Sequence, residues 1–140
     1  MSTPFRLILP QPLYAAMLAQ AVAESPNECC GLLAGLLEQP AARVTRRYPL
    51  VNAAASPKEY TSDPRSMFEA VRDMHRHGLE ILAIYHSHPT SEPVPSRTDL
   101  ERNYSADVMS LIISLASAEP TVRAWWLGDD GFTEADWIIV

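Results

Sequence analysis

Basic residues are scarce in this chain. Its 140 residues include 11 Lys and Arg against 17 Asp and Glu, which leaves a formal net charge of -6 at pH 7. Nucleic acids and anionic membranes are bound through clustered Lys and Arg, so this balance argues against either as the main partner. The densest basic cluster, RVTRR at 43–47, fits one solvated face of a strand. We therefore expect a protein that acts without nucleic acid and without a membrane.

Cysteine and long apolar runs are also lacking. The two cysteines, Cys29 and Cys30, are adjacent and have no third cysteine to pair with, so a disulfide framework is excluded and a reducing, cytoplasmic setting is expected. No apolar run approaches the roughly 18 residues of a membrane-spanning helix. Prolines at positions 4, 10 and 12 interrupt the N-terminal apolar residues, which predicts that no export signal is present.

The residues that are present suit a compact fold. Hydrophobic residues make up 47% of the chain, which at this length is enough to close a core. No internal repeat is visible. We expect one domain over residues 1–140.

The apolar periodicity predicts alternating strands and helices. The clearest helix has an Asp cap at position 63, places Met67, Val71 and Met74 on one face and ends at Gly78. The predicted strands are 5–9, 28–38, 42–51, 79–87, 107–116, 121–128 and 132–140, and the predicted helices are 12–25, 64–77 and 96–104. This order predicts an α/β (α+β) fold in which helices flank a mixed sheet.

The stretch HSHPTSEPVPSRTD, residues 86–99, follows a predicted strand and concentrates groups that can bind a metal. His86 and His88 are two residues apart at the end of a strand, so their side chains point the same way and can converge on one ion. Asp99 is the candidate third ligand, brought back by the proline-rich loop. Imidazole and carboxylate suit zinc, and three protein ligands leave the fourth tetrahedral position for water, as in hydrolytic sites.

The same stretch has a simpler explanation. The sequence SRTD resembles a capping box, with Ser96 as the N-cap and Asp99 three residues later in a short helix. An H-x-H pair alone is also a weak indication of a metal. The joint spacing H-x-H-x(7)-S-x-x-D directly after a β-rich run favours the metal site, because several independent coincidences would otherwise be required.

These residues resemble the signature of the JAMM metallopeptidases, also called MPN+, in their compact prokaryotic form. The resemblance includes the proline after the second histidine and the Pro-Ser before the last aspartate. The family also has an upstream glutamate in an E-x-C-G-L-L-x-G strand, and 28–35 matches it. Further matching positions are Asn52, Pro57, Tyr60 and the Asp-Pro pair at 63–64.

The resemblance implies the fold and the role of each site residue. The fold would be the MPN/JAMM (cytidine-deaminase-like) fold, whose mixed sheet is mostly antiparallel. His86, His88 and Asp99 resemble the ligands of one zinc ion per chain. Glu28 resembles the general acid/base that takes a proton from the zinc-activated water and returns it to the leaving amine. Ser96 would donate a hydrogen bond to the developing oxyanion, in addition to capping the helix.

The function implied by the resemblance is zinc-dependent hydrolysis of the peptide or isopeptide bond after the C-terminal Gly-Gly of a ubiquitin-like or sulfur-carrier protein. One alternative is a non-catalytic MPN scaffold module, although such relatives lack one or more of the five site residues present here. The other is a RadC-like JAB domain linked to DNA metabolism. The loop of such domains usually has Ser-Gly where this chain has Thr90-Ser91. The negative net charge of this chain also gives little support for DNA binding.

Several other side chains are expected to have structural roles. Cys30 suits a small buried packing residue better than a nucleophile, because free cysteine is among the most buried residue types. His75 and His77 are two apart on a helix and point different ways, as C-terminal dipole partners do.

Two adjacent tryptophans and one loop glutamate are less determined. Trp125 and Trp126 lie on a predicted strand, so one should face the core and the other a surface, where it either packs or binds a partner. Glu92 lies between the candidate ligands in sequence, where it is either solvated or in contact with substrate.

Overall fold

The computed structural model describes residues 4–140, and in them an eight-stranded mixed sheet is flanked by three helices. The strands lie in the order β7-β6-β5-β4-β2-β3-β1-β8. Four of the seven strand pairings are antiparallel and three are parallel, as expected for a mixed, mostly antiparallel sheet. The elements are β1 Arg6–Leu9, α1 Gln11–Glu24, β2 Cys30–Glu38, β3 Ala41–Leu50, α2 Pro64–Arg76, β4 Glu80–His88, α3 Arg97–Glu101, β5 Met109–Ser114, β6 Thr121–Gly128, β7 Gly131–Glu134 and β8 Trp137–Ile139.

The middle of the sheet is built by β2, β4 and β5. β2 pairs antiparallel with β4, with Cys30 opposite His86. The chain then crosses over through α3 so that β5 lies parallel to β4. Nearly every residue of β4 and β5 is buried or half-buried, as expected for strands that are covered on both faces. The carboxyl end of β4 is therefore held between strands on both sides.

The predicted last strand, 132–140, is wrong as a single element. It is two strands separated by Ala135 and Asp136. β7 pairs with β6 at one edge of the sheet, and β8 pairs with β1 at the other edge. The linker can span only roughly 10 Å, so both edges must lie close together, and the sheet is curled. The periodicity of apolar residues in 132–140 cannot show that this segment forms two strands at opposite edges of the sheet.

The two longer helices follow from local sequence. In α2 the Asp63 side chain accepts a hydrogen bond from Ser66 N at 3.0 Å, and proline occupies the first turn, as predicted. Met74 is buried, and Met67 and Val71 pack beside it. α1 buries Met17 and Ala21 on the opposite face of the sheet. No helix among residues 4–140 is long and apolar enough to cross a membrane.

The sheet therefore has two differently covered faces. The face under α1 carries the largest apolar cluster, which includes Leu33, Tyr85 and Leu111. The other face is covered by α2 over β2 and by α3 over β5 and β6. The candidate site residues lie on this second face.

Candidate metal and catalytic site

The carboxyl end of β4 carries two histidines on one face. His86 and His88 are two residues apart in the strand, so both side chains point to the same side of the sheet. They are only 3% and 4% exposed. Their Nε2 atoms lie 3.2 Å apart, so both rings are directed at one point.

Asp99 reaches this point from α3. The capping box is formed: Asp99 N donates to Ser96 Oγ at 3.1 Å, and Ser96 N donates to Asp99 Oδ2 at 2.9 Å. The same carboxylate lies 3.1 Å from His86 Nε2 through Oδ1 and 3.1 Å from His88 Nε2 through Oδ2. Asp99 therefore both takes part in the capping box of α3 and contacts both imidazoles, because the capping box holds its carboxylate beside His86 and His88.

These three residues form a possible metal site. One candidate ligand atom from each of His86, His88 and Asp99 lies within 4.8 Å of the other two. Between residues 4 and 140 this is the only group of three or more His, Cys, Asp or Glu side chains so arranged. Two imidazole nitrogens and a carboxylate oxygen are the donors of many catalytic zinc sites.

Hydrogen bonds orient the His88 ring for this role. His88 Nδ1 lies 2.8 Å from the main-chain carbonyl oxygen of Glu92. A carbonyl only accepts, so Nδ1 carries a proton and the neutral ring presents a lone pair at Nε2. That lone pair faces the Asp99 carboxylate, which is also an acceptor. Two acceptors at this distance require a proton or a cation between them.

The charges of the site agree with this requirement. Burial opposes ionisation of Asp99, but the hydrogen bonds from His86 and His88 outweigh it and hold the Asp99 pKa well below its ordinary value. Burial likewise opposes protonation of His88, yet the hydrogen bonds to Asp99 and to the Glu92 carbonyl raise the His88 pKa. The site is thus suited to positive charge, which a divalent cation supplies more strongly than a proton.

Glu28 lies two residues before the start of β2 and beside this group. Continuing the pairing of Cys30 with His86 by two residues places Glu28 opposite His88. Hydrogen bonds fix this alignment: Cys29 N donates to Ser87 Oγ at 2.8 Å, and Ser87 N donates to the Cys29 carbonyl at 3.1 Å. The residue after Glu28 is therefore tied to the residue between the two histidines.

The Glu28 carboxyl is buried without a full set of partners. It is 4% exposed, and its Oε1 atom has no hydrogen-bond partner. Burial raises its pKa from 4.5 to about 7, although the positive charge of His88 lowers it. A carboxyl group with a pKa near neutral can both accept and return a proton. An unpartnered buried carboxyl oxygen next to possible metal ligands is typical of a catalytic group.

Two neighbouring side chains support the site, although the sequence indicated no role for them. Asn52 donates to the carbonyls of Glu28 and Glu59 and accepts from the main-chain N–H groups of Ala54 and Thr61. It therefore ties the loop of residues 52–61 to the main chain of Glu28. Tyr60 stacks on His86, with ring centroids 5.0 Å apart. Both positions were noted only as part of the resemblance, because an amide or a ring in a loop has no spacing that reveals its partners.

The cysteines lack the features of a nucleophile. Cys29 and Cys30 are both fully buried. Burial raises the pKa of the Cys29 thiol to about 11 and that of the Cys30 thiol to about 12, so both remain neutral thiols. A catalytic cysteine requires the opposite shift. The packing role expected for Cys30 agrees with its burial.

The side chains of the remaining candidates lie away from the metal site. His77 caps the carboxyl end of α2, where its Nδ1 atom lies 2.9 Å from the Asp73 carbonyl, and His75 is in the last turn. Trp125 is buried and donates to the Pro93 carbonyl. Trp126 is half-buried against the Phe5 ring, 4.9 Å away, so both tryptophans pack. Glu92 is exposed, and its main chain rather than its side chain contacts the site.

The curled mixed sheet, the His-His-Asp group at the end of β4 and the buried carboxyl at the start of β2 define a class of protein, the JAMM-type hydrolases. In this structure the fold brings Glu28 beside the H-x-H end of β4. The comparisons with known proteins give the family.

The chain belongs to the prokaryotic homologs of the JAB domain, whose family model matches residues 10–128. It is 36% identical over 112 residues to a desampylase of Haloferax volcanii, covering 79% of this chain and 77% of the relative. It is 32% identical over 133 residues to the CysO-cysteine peptidase of Mycobacterium tuberculosis, covering 94% and 90%. These relatives establish the chain as a hydrolase.

A solved structure agrees with this membership. The solution structure of a protein from Desulfitobacterium hafniense superposes with a TM-score of 0.87 at 36% identity, covering 96% of this chain and 92% of that chain. The expected fold class and the resemblance to the JAMM family are therefore confirmed.

Proposed function

We propose that this protein is a zinc-dependent metallopeptidase that hydrolyses the peptide or isopeptide bond after the C-terminal Gly-Gly of a ubiquitin-like or sulfur-carrier protein. One observation carries the proposal: the buried Glu28 carboxyl, with an unpartnered Oε1 atom, lies beside three converging ligand side chains. A scaffold module has no use for an unsatisfied buried carboxyl, which costs stability.

The residues present fit one zinc ion. His86, His88 and Asp99 would hold it, and the Glu92 carbonyl fixes the His88 tautomer that binds a metal. A fourth ligand is absent from the group, which is the arrangement of a catalytic rather than a structural site. When bound, zinc lowers the pKa of water and polarises a carbonyl group.

Glu28 would carry the proton in the reaction. Its carboxylate accepts a proton from the attacking water as the oxygen adds to the scissile carbonyl carbon. The protonated carboxyl then donates to the leaving nitrogen as the carbon–nitrogen bond breaks. A pKa of about 7 suits both directions near neutral pH.

Ser96 would stabilise the developing oxyanion. In the capping box its Oγ atom accepts the Asp99 N–H, which leaves the hydroxyl proton available to a ligand. The short helix fixes this hydroxyl next to Asp99. A preoriented neutral donor is the group that such an oxyanion requires.

The substrate class is supported by the relatives. They include desampylases, CysO-cysteine peptidases and a probable protease that cleaves TtuB-protein conjugates. These relatives act on conjugates of ubiquitin-like or sulfur-carrier proteins. A Gly-Gly tail presents its main chain without side chains, so it can reach a recessed site such as this one.

The decisive experiment uses a panel of β-grasp sulfur carriers, each with a short extension after Gly-Gly. Purified protein loaded with zinc is incubated with each carrier, and intact mass is followed. We expect loss of the extension after the second glycine, at least with one carrier, and no cleavage when a chelator has removed the metal.

Glu28→Gln is the matched variant, because it keeps the shape of the side chain and removes its basicity. We expect it to bind as much zinc as wild type, by elemental analysis, and to cleave at least about a hundredfold more slowly. The proposal is wrong if no carrier is cleaved, or if Glu28→Ala cleaves as well as wild type.

A further inference from the structure

Two side chains of the sheet tie down the loop that connects β4 to α3. Ser114, at the end of β5, donates from Oγ to the main-chain carbonyl of Ser91 at 2.6 Å. Trp125, on β6, donates from Nε1 to the main-chain carbonyl of Pro93 at 2.9 Å. The loop is therefore bonded to two neighbouring strands through two carbonyl groups that have one residue between them.

The residue between these two bonds is Glu92. Its carbonyl oxygen lies 2.8 Å from His88 Nδ1 and also accepts the Val94 N–H at 2.8 Å. Each peptide unit is planar, so hydrogen bonds at the preceding and following units restrict how this one can turn. The direction of the Glu92 carbonyl, and with it the orientation of the His88 ring, is therefore fixed from β5 and β6.

Both donors are themselves held in place. Ser114 is buried, and its Oγ atom accepts the Ala116 N–H at 3.2 Å, which leaves the hydroxyl proton for the loop carbonyl. Trp125 is also buried. The Arg123 guanidinium lies 4.5 Å from the centroid of its ring, and Phe132 meets the ring edge-on with centroids 5.3 Å apart. Rigid donors of this kind can hold a neighbouring group in a defined geometry.

We propose that Trp125 and Ser114 are positioning residues of the metal site, which act on His88 through the carbonyl of Glu92. The inference rests on the zinc site of the proposed function. A histidine ligand binds a metal in a defined orientation when its other ring nitrogen donates to a fixed acceptor, and loss of that acceptor weakens metal binding by about tenfold to a hundredfold. Trp125 and Ser114 lie one step further from the metal, so a smaller effect, about threefold to tenfold for each, is expected.

The test measures the affinity of the folded protein for zinc by competition with a chelating dye. Trp125→Phe removes the N–H group and keeps an aromatic ring, and Ser114→Ala removes the hydroxyl group. We expect the Kd for zinc to rise about threefold to tenfold in each variant. The matched controls are Trp126→Phe, whose ring packs on the opposite face of the sheet, and Ser110→Ala, four residues earlier on β5. Both controls should bind zinc as tightly as wild type.

A second measurement reports on the His88 ring itself. In zinc-loaded protein with isotope-labelled histidine, the His88 Nδ1–H group should give an NMR signal that exchanges slowly with water, because it donates to the Glu92 carbonyl. We expect faster exchange of this proton in Trp125→Phe and Ser114→Ala and no change in the two controls. Cleavage of a carrier should fall at limiting zinc and recover at saturating zinc, since all three ligands remain.

Wild-type zinc affinity in either Trp125→Phe or Ser114→Ala would overturn this inference, as would an unchanged exchange rate of the His88 proton. Equal losses of affinity in Trp125→Phe and Trp126→Phe would also overturn it, because they would indicate a general loss of packing. Ser114→Ala decides the matter should Trp125→Phe fail to fold. Wild-type protein that binds no zinc is, in contrast, a failure of the proposed function.

Discussion

The polar groups on the two faces of β4 differ in how completely they are hydrogen-bonded. Towards α1, the Tyr85 hydroxyl donates to Gln20 and accepts from Arg47 at 3.1 Å, and Ser87 Oγ accepts from Cys29 N. Every one of these groups has a partner. Towards α3, the Glu28 Oε1 atom has no hydrogen-bond partner, and His86, His88 and Asp99 converge on one point. The polar groups on the face of β4 towards α1 are therefore fully hydrogen-bonded, whereas the other face of β4 lies beside an unpartnered carboxyl oxygen and a possible metal site.

This difference predicts that substitutions on one face of β4 change the stability of the protein, whereas substitutions on the other face change metal binding and activity. Alternation places Tyr85 and Ser87 on one side and the two histidines on the other. Substitutions on the first side should change the free energy of unfolding and leave metal binding intact. Substitutions on the second side should do the reverse, and the following experiments test that separation.

The largest effect is expected for His88→Ala. It removes one of three ligands, so bound zinc should fall from about one per chain to almost none, and cleavage should fall more than about a thousandfold. Elemental analysis and a carrier-cleavage assay measure the two effects. Ser87→Ala, on the other face, is the control and should retain zinc. Equal zinc content in wild type and His88→Ala would remove His88 from the site.

Gly31→Ala should destabilise the face of the sheet that packs under α1. A Cβ atom at this position would lie 2.1 Å from the Tyr85 ring, so the ring or a strand must move. We expect the free energy of unfolding to drop by about 1–3 kcal/mol, measured by urea denaturation. Gly128→Ala is the control, since nothing lies within 4 Å of its Cβ position. A similar loss of unfolding free energy in both variants would show that the Tyr85 ring is not the reason why position 31 requires glycine.

Glu28 should make the metal-free protein less stable as the pH rises. Its pKa is 4.5 ordinarily and about 7 in the fold, so the unfolded chain releases this proton first. The penalty is absent below about pH 4.5, grows up to about pH 7 and is then constant. Glu28→Gln lacks it, so its stability advantage over wild type should grow by about 1–3 kcal/mol between pH 5 and pH 8.

Denaturation of both proteins in the presence of a chelator, at pH 5 and at pH 8, measures this difference. A constant advantage of Glu28→Gln across that range would mean that the Glu28 carboxyl titrates in the fold as it does in water. Zinc-loaded samples provide the comparison in which the cation offsets part of the penalty.

Tyr85→Phe should have the smallest effect. It removes one hydroxyl, while Arg47 still donates to Gln20 at 2.8 Å, so no buried group loses its last partner. We expect a loss of about 1 kcal/mol in the free energy of unfolding and a cleavage rate within about twofold of wild type. A much larger loss of activity would show that the two faces of β4 are coupled.

Much of the local structure could be predicted because its signals are local. The Asp63 cap, the proline that follows and the final Gly78 delimit α2 almost to the residue. The H-x-H spacing places both imidazoles on one face of β4 without any knowledge of the fold. Ser96 and Asp99 likewise form the predicted capping box within four residues.

What could not be predicted from the residues alone depends on contacts between distant segments. Glu28 meets the histidines because β2 pairs with β4 in one particular register, and no spacing in the sequence encodes that register. Only the family resemblance pointed to it. The Glu92 carbonyl that orients His88 is a main-chain atom, so its role leaves no trace in the identity of the residue.

The division of 132–140 into β7 and β8 also affects how the protein can form. β1 is fixed between β3 and β8, and its pairing of Leu7 with Trp137 joins positions about 130 residues apart. Such distant pairings are slow to form because a large loop must close first. Until β8 has been synthesised, one edge of β1 is unpaired and its main-chain groups can pair with a neighbouring chain. The curl of the sheet can therefore be completed only after residues 137–139 have been synthesised and have paired with β1.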